Sequence, residues 1–191
     1  MAEMRLFHIS EEDDISIFMP RLPKRKDLEQ RNGLVWAINE ECLPNYLTPR
    51  NCPRVTYHCT EKTTVHDKSN FLSSDTITHV VAIEHNWFDR MRNTKLFLYE
   101  FDPSDFYLQD RAAGYFVSES TQVPINKMMI NDLFAELIKR NVELRIIDNL
   151  WDLTEKIKKT SFDWSMCRMD FAEKKKIALH QSIRRTKTTT D

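Results

Sequence analysis

The sequence predicts an α+β fold, a β-rich mixed core with flanking helices. Three observations predict it. Strand-length apolar or alternating runs recur along the chain, one strongly amphipathic helical stripe appears late, and the two are interleaved in mixed order. Of 191 residues, 41% are hydrophobic, enough for one domain with a sizeable core. Residues 1–172 are expected to form it, with 173–191 a basic helical or disordered tail.

The elements follow in order. Residues 5–9 alternate as a strand, with Leu6, His8 and Ser10 on one face and Arg5, Phe7 and Ile9 on the other. A Pro- and charge-rich loop then runs to Gly33. The apolar run 34–38 predicts a buried strand, and Asn39 is placed to cap a short helix after it. Residues 54–60 alternate again, after a Pro-bounded turn. Residues 62–74 are polar and predict a loop. Strands are expected over 78–84 and 95–101, with a short helix over 85–92 between them. Shorter strands are expected at 114–118 and 122–125. Asn126 is expected to cap the best helix, whose stripe is Met129, Ile130, Leu133, Phe134, Leu137 and Ile138. A strand at 142–147 and helices at 150–159 and 171–185 complete the reading.

Composition excludes several functions. Two glycines, Gly33 and Gly114, stand where average usage gives roughly 13, so no Gly-rich Rossmann or P-loop cradle of the standard form can be written. A net charge of −1 gives no global field for nucleic acid or anionic membrane. Nucleic acid is expected only through the basic C-terminal run, Lys174 to Lys187. Apolar runs are too short to span a membrane. None of the four cysteines forms C-x-x-C and no secretory segment follows Met1, so reduced thiols and a cytoplasmic location are expected. Histidine and cysteine spacings predict no metal site.

Three clusters are candidates for chemistry. His8 and Ser10 share a strand face, and an imidazole beside a hydroxyl suits recognition of a ribose or phosphate; the bland alternative is a half-buried histidine beside a turn cap. Tyr115 and Glu119 share a face if their strand continues, with Gly114 allowing close approach of a ligand or strand. Glu119 is otherwise an exposed turn carboxylate. Arg50 and Arg54 flank the Pro-bounded turn and suit a pyrophosphate, or else pack over aromatics.

These residues carry a resemblance on two levels. Leu6-Phe7-His8-Ile9-Ser10-Glu11, Val35-Trp36-Ala37-Ile38-Asn39-Glu40 and Pro49-Arg50-Asn51-Cys52-Pro53-Arg54-Val55-Thr56 resemble a family of uncharacterised small bacterial proteins common in bacilli. Ala113-Gly114-Tyr115 and Leu150-Trp151 extend that match, which imports no activity. More distantly, His8-x-Ser10, the strand and helix over 35–47 and the strand ending before Val123-Pro124 resemble the ADP-ribosyltransferase fold, including RNA 2′-phosphotransferases and rifampin ADP-ribosyltransferases. Trp36 stands where that fold has a tyrosine. The resemblance implies an ADP-ribosyltransferase-like activity on NAD or a nucleotide. His8 and Glu119 would then be catalytic, with Ser10, Trp36, Arg50, Arg54 and Tyr115 binding the cofactor. A non-enzymatic interaction or structural protein is the alternative. One geometric requirement separates them: His8, Tyr115 and Glu119 must line one cleft.

Overall fold

The computed structural model describes residues 4–22 and 32–175. Two sheets carry the fold. The larger is six-stranded, in the order β6-β7-β2-β1-β5-β8. Its strands are β1 (Leu6–Ser10), β2 (Val35–Asn39), β5 (Leu96–Phe101), β6 (Tyr107–Asp110), β7 (Tyr115–Ser118) and β8 (Asn126–Ile130). The smaller is four-stranded, β10-β3-β4-β9, from β3 (Arg54–His58), β4 (His79–Glu84), β9 (Val142–Ile147) and β10 (Asp163–Cys167). All pairings are antiparallel except β4 with β9; α2 (Phe88–Asn93) precedes β5 and α3 (Leu133–Lys139) precedes β9. The mixed α+β class and its β-rich core follow the sequence reading.

The sheets face one another across an apolar layer. Phe7, Leu98 and Ile130 of the large sheet meet Val81 and Ile83 of the small one, with Leu43 and Leu47 from the 3₁₀ turn Leu43–Tyr46 between them. The period of two then fixes every other side chain. On the small sheet's outer face Val55, Tyr57, Val80 and Ala82 pack under α4 (Trp151–Ile157) through Leu150 and Ile157. On the large sheet's outer face Leu6, Val35, Ala37, Tyr99 and Phe101 are covered by Phe18. Phe18 reaches them because its backbone bonds Gln122 in both directions, at 2.8 and 2.9 Å.

Four expectations are corrected. Residues 62–74 are not all loop: α1 (Val65–Phe71) forms there, because Thr64 accepts from the Asp67 amide and Asp67 sits in the first turn. The helix expected from Asn126 divides into strand β8 and helix α3. Asp132, not Asn126, is the cap, accepting from the Ala135 amide. Ile130 therefore belongs to a strand period, although its spacing of three from Leu133 also fits a helix. The expected strand 122–125 reduces to a single bridge from Gln122 to Phe18. Residues 171–175 carry no α-helix, only the end of a 3₁₀ turn. The rest of the expected C-terminal helix and the tail lie outside the described residues. Strands β6 and β10 went unpredicted. No helix among the described residues is long and apolar enough to cross a membrane.

Candidate functional site

The register separates the predicted site residues. His8 lies opposite Tyr99 on β5, so it shares the outer face with the Phe18 cluster. Trp36 lies opposite Val117 and Ile38 opposite Tyr115, which puts Trp36 and Tyr115 on the inner face. His8, Tyr115 and Glu119 therefore do not line one cleft. The physical reason is alternation: Phe7 pairs with Ile38 across β1 and β2, so their neighbours His8 and Ala37 point the other way.

Each of the candidates set apart in this way has a local occupation. His8 Nδ1 donates to the Trp36 carbonyl at 3.1 Å, and its ring packs 4.8 Å from that of Phe18. Burial lowers its pKa, opposed by that hydrogen bond. Ser10 Oγ accepts from the Glu12 amide and closes a turn. Arg50 is exposed and sits 3.6 Å from Glu12. Glu119 lies past the end of β7, exposed, and accepts from the Tyr107 hydroxyl at 3.5 Å. Four residues of strand separate it from Tyr115, roughly 13 Å of backbone. Gly114, at φ +69°, does allow close approach, but by the chain itself: a Cβ there would strike Asn39 and Cys42.

Arg54, Trp36 and Tyr115 do come together, at the edge where β10 and β3 face β2 and β7. Tyr46 joins them. The Arg54 guanidinium lies 5.2 Å from the Tyr46 ring centre, Tyr46 lies 5.6 Å from Tyr115, and Tyr115 meets Trp36 edge-on at 5.2 Å. Burial raises the pKa of both phenols, so they stay protonated.

The small sheet supplies the other wall. Its inner face turns polar toward β10. Thr56 lies opposite Ser165, Arg54 opposite Cys167 and His58 opposite both Asp163 and His79. The His58 and His79 rings stack at 5.2 Å. His79 Nε2 donates to Asn45 Oδ1 at 2.7 Å. The Asn45 carbonyl in turn accepts from Arg54 Nε, so one buried asparagine aims both the histidine and the arginine. Burial lowers both imidazole pKa values, that of His79 to about 3, so both rings are neutral at pH 7.

The polar groups at this edge are not all satisfied internally. Arg54 is buried, with two bonds, to the Asn45 and Cys52 carbonyls, and it has no carboxylate partner among the described residues. His58, also buried, makes no side-chain hydrogen bond there. The buried side-chain nitrogen and oxygen atoms without a partner among the described residues are the Thr48 and Thr154 hydroxyls. The unbonded nitrogens of Arg54 and His58 therefore retain contact with solvent. Trp36, Tyr46, Tyr115, Asp163, Ser165 and Cys167 are half-buried around them. A buried guanidinium without a carboxylate is a costly arrangement for structure alone.

Two surface hollows lie elsewhere, of about 490 and 440 Å³. The first is lined by Asp13, Asp14 and Lys127, whose ammonium donates to the Asp13 carbonyl. The second is rimmed by Arg5, Glu40, Glu136 and Arg140, which pair among themselves. Neither holds an unmatched buried charge. Among the described residues no group of three or more metal-ligating side chains forms.

Residues 7–172 match the family model described as "Family of unknown function (DUF6886)". The chain belongs to that family. The match takes in β1 through β10 apart from the first residue of β1, and every residue of the polar edge. No curated protein and no solved structure matches the chain.

Of the residues at this edge, the sequence reading singled out Arg54, Trp36 and Tyr115 as site candidates, and not His58, His79, Asn45 or Asp163. His58 was legible as one of the polar residues in an alternating run. Its partners come from β4, β10 and the 3₁₀ turn, and no local spacing links them.

Proposed function

We propose that the edge between the two sheets binds a small ligand that joins a phosphate-type anion to a flat ring, as a nucleotide or NAD does. The observation that carries this reading is Arg54: buried, without a carboxylate, and with a nitrogen left open to solvent. An anion there would complete its charge-assisted hydrogen bonds. The Trp36, Tyr115 and Tyr46 rings offer π-faces and edges to a flat group. His58, neutral at pH 7, offers one donor and one acceptor to hydroxyls. The distant resemblance to ADP-ribosyltransferases puts NAD among the ligands to be tried. The reading is one of binding: Glu119 stands outside this cluster, and no acid within it is assigned a catalytic role.

The test is titration of the full chain with NAD, ADP-ribose, AMP and adenosine, read by calorimetry and thermal shift. Phosphorylated members are expected to bind and adenosine not. A ligand at 100 times its Kd should stabilise by about 2.7 kcal/mol. Arg54→Lys should abolish the response, because an ammonium cannot hold both carbonyls and an anion. His58→Gln should weaken binding while keeping the fold. Absence of any response to all four compounds at millimolar concentration would reject the reading.

A further inference from the structure

The polar edge keeps opposite charges apart. Across β3 and β10 the position facing Arg54 is held by Cys167, and Asp163 faces His58 instead, four residues further along β3. That separation is roughly 13 Å of backbone. The Asp163 side chain is half-buried and makes no hydrogen bond or ion pair among the described residues. Glu41, on the turn after β2, is exposed, and its charge acts with that of Asp163 on His58. Neither carboxylate meets a lysine or arginine among the described residues. One end of the edge thus presents an unmatched guanidinium. The other presents two unmatched carboxylates around a buried, unpartnered imidazole. The aromatic rings lie beside the Arg54 end.

Such a field is complementary to a dipolar ligand of the opposite sense. Resting on the binding reading above, we infer that the ligand is an amine-bearing or otherwise cationic aromatic phosphate, with its anion at Arg54 and its cationic end at Asp163 and Glu41. A plain anion would satisfy Arg54 but would face repulsion from the two carboxylates as it lengthened toward them. A ligand that carries a positive group at its far end turns that repulsion into attraction.

A matched pair of probes tests this on the full chain. O-phosphotyramine carries a phosphate, a ring and an ammonium; 4-propylphenyl phosphate has the same length, with a methyl group in place of the ammonium. Calorimetry should show O-phosphotyramine binding at least about tenfold more tightly in low salt, with the ratio shrinking as salt rises. Asp163→Asn and, separately, Glu41→Gln should bring the ratio toward one. The second variant sits on an exposed turn and guards against a folding artefact in the first. Equal binding of the two probes by the wild-type protein would overturn the cationic assignment while leaving the phosphate-and-ring reading standing. Binding of neither probe at millimolar concentration would overturn both.

Discussion

The large sheet's two faces treat their polar residues differently. On the outer face the chain covers its own histidine. Phe18 packs on His8, Tyr99 and Phe101, held there by its backbone bridge to Gln122, and His8 donates to a strand carbonyl. On the inner face, where the small sheet turns from Val81 and Ile83 to Arg54, Thr56 and His58, the arginine and the imidazole are buried among the Tyr46, Tyr115 and Trp36 rings but keep nitrogens without a hydrogen bond. The same residue type thus serves two ends. A histidine covered and bonded by its own chain completes a core, and one without a side-chain hydrogen bond, four residues along its strand from an arginine that lacks a carboxylate, is the one the binding proposal uses.

The strongest way to break this contrast is to uncover the outer face. Phe18→Ala removes the ring that touches three aromatic neighbours and should lower stability by about 3 kcal/mol. Chemical denaturation measures that loss. Ligand affinity at the inner edge should not change, and a loss of affinity matching the loss of stability would mean that the two faces are not separate devices.

Acid sharpens the contrast from the inner side. The His79 pKa lies at about 3 in the folded protein, well below the ordinary imidazole value, because burial opposes the charged form. The unfolded chain therefore binds the extra proton first, and stability falls as pH drops below about 6.5 and continues to fall toward 3. At pH 5 this one residue should cost about 2 kcal/mol relative to pH 7.5. His58 and His8, whose values are lowered in the same direction, add to it. Stability measured against pH in His79→Gln should show a shallower acid limb between pH 6.5 and 5. An unchanged limb would show that His79 does not titrate as a buried neutral group. His8→Ala should cost about 1–2 kcal/mol through the lost bond to Trp36 and the lost contact with Phe18, with ligand binding intact.

The legibility of the molecule followed the same division. The strands with a clear period, β1 through β5 and β9, were readable because each carries its own apolar face in a few consecutive residues. Helix α1 was hidden because its seven residues bury none of their side chains, so no stripe marks it, and only the Thr64 and Asp67 pair betrays it. Strand β8 was hidden for the opposite reason, since Met129 and Ile130 stand four and three residues before Leu133, a helical spacing. Strand β10 has no fully buried residue and depends on β3 for its shape. At the candidate site, Arg54 was legible from its Pro-bounded turn and Trp36 from its strand. Asn45 was not, because its role lies in two bonds to residues 9 and 34 positions away. His8 was the reverse case: its local setting suggested a ligand, and only the register shows that the chain itself takes up that face.

The smallest expected change in stability is the most telling. His58 is buried, yet its side chain makes no hydrogen bond among the described residues, and its ring nitrogens reach solvent. Its contribution to the fold is then the stack on His79 and the packing of its ring. His58→Gln keeps a similar volume and a donor and acceptor, and it removes a group whose burial in the charged form is unfavourable. Stability at pH 7 should change by less than about 1 kcal/mol, and stability at pH 5 should rise relative to wild type. Phosphate-ligand binding should weaken, since a flexible amide does not hold its polar atoms where the stacked ring holds its nitrogens. His8→Ala is predicted to do the reverse, losing stability and keeping binding. Melting curves and titrations on the two variants in parallel decide the matter. If His58→Gln proves the more destabilising of the two, with binding untouched, the inner edge is a structural core like the outer one, and the contrast between the faces falls.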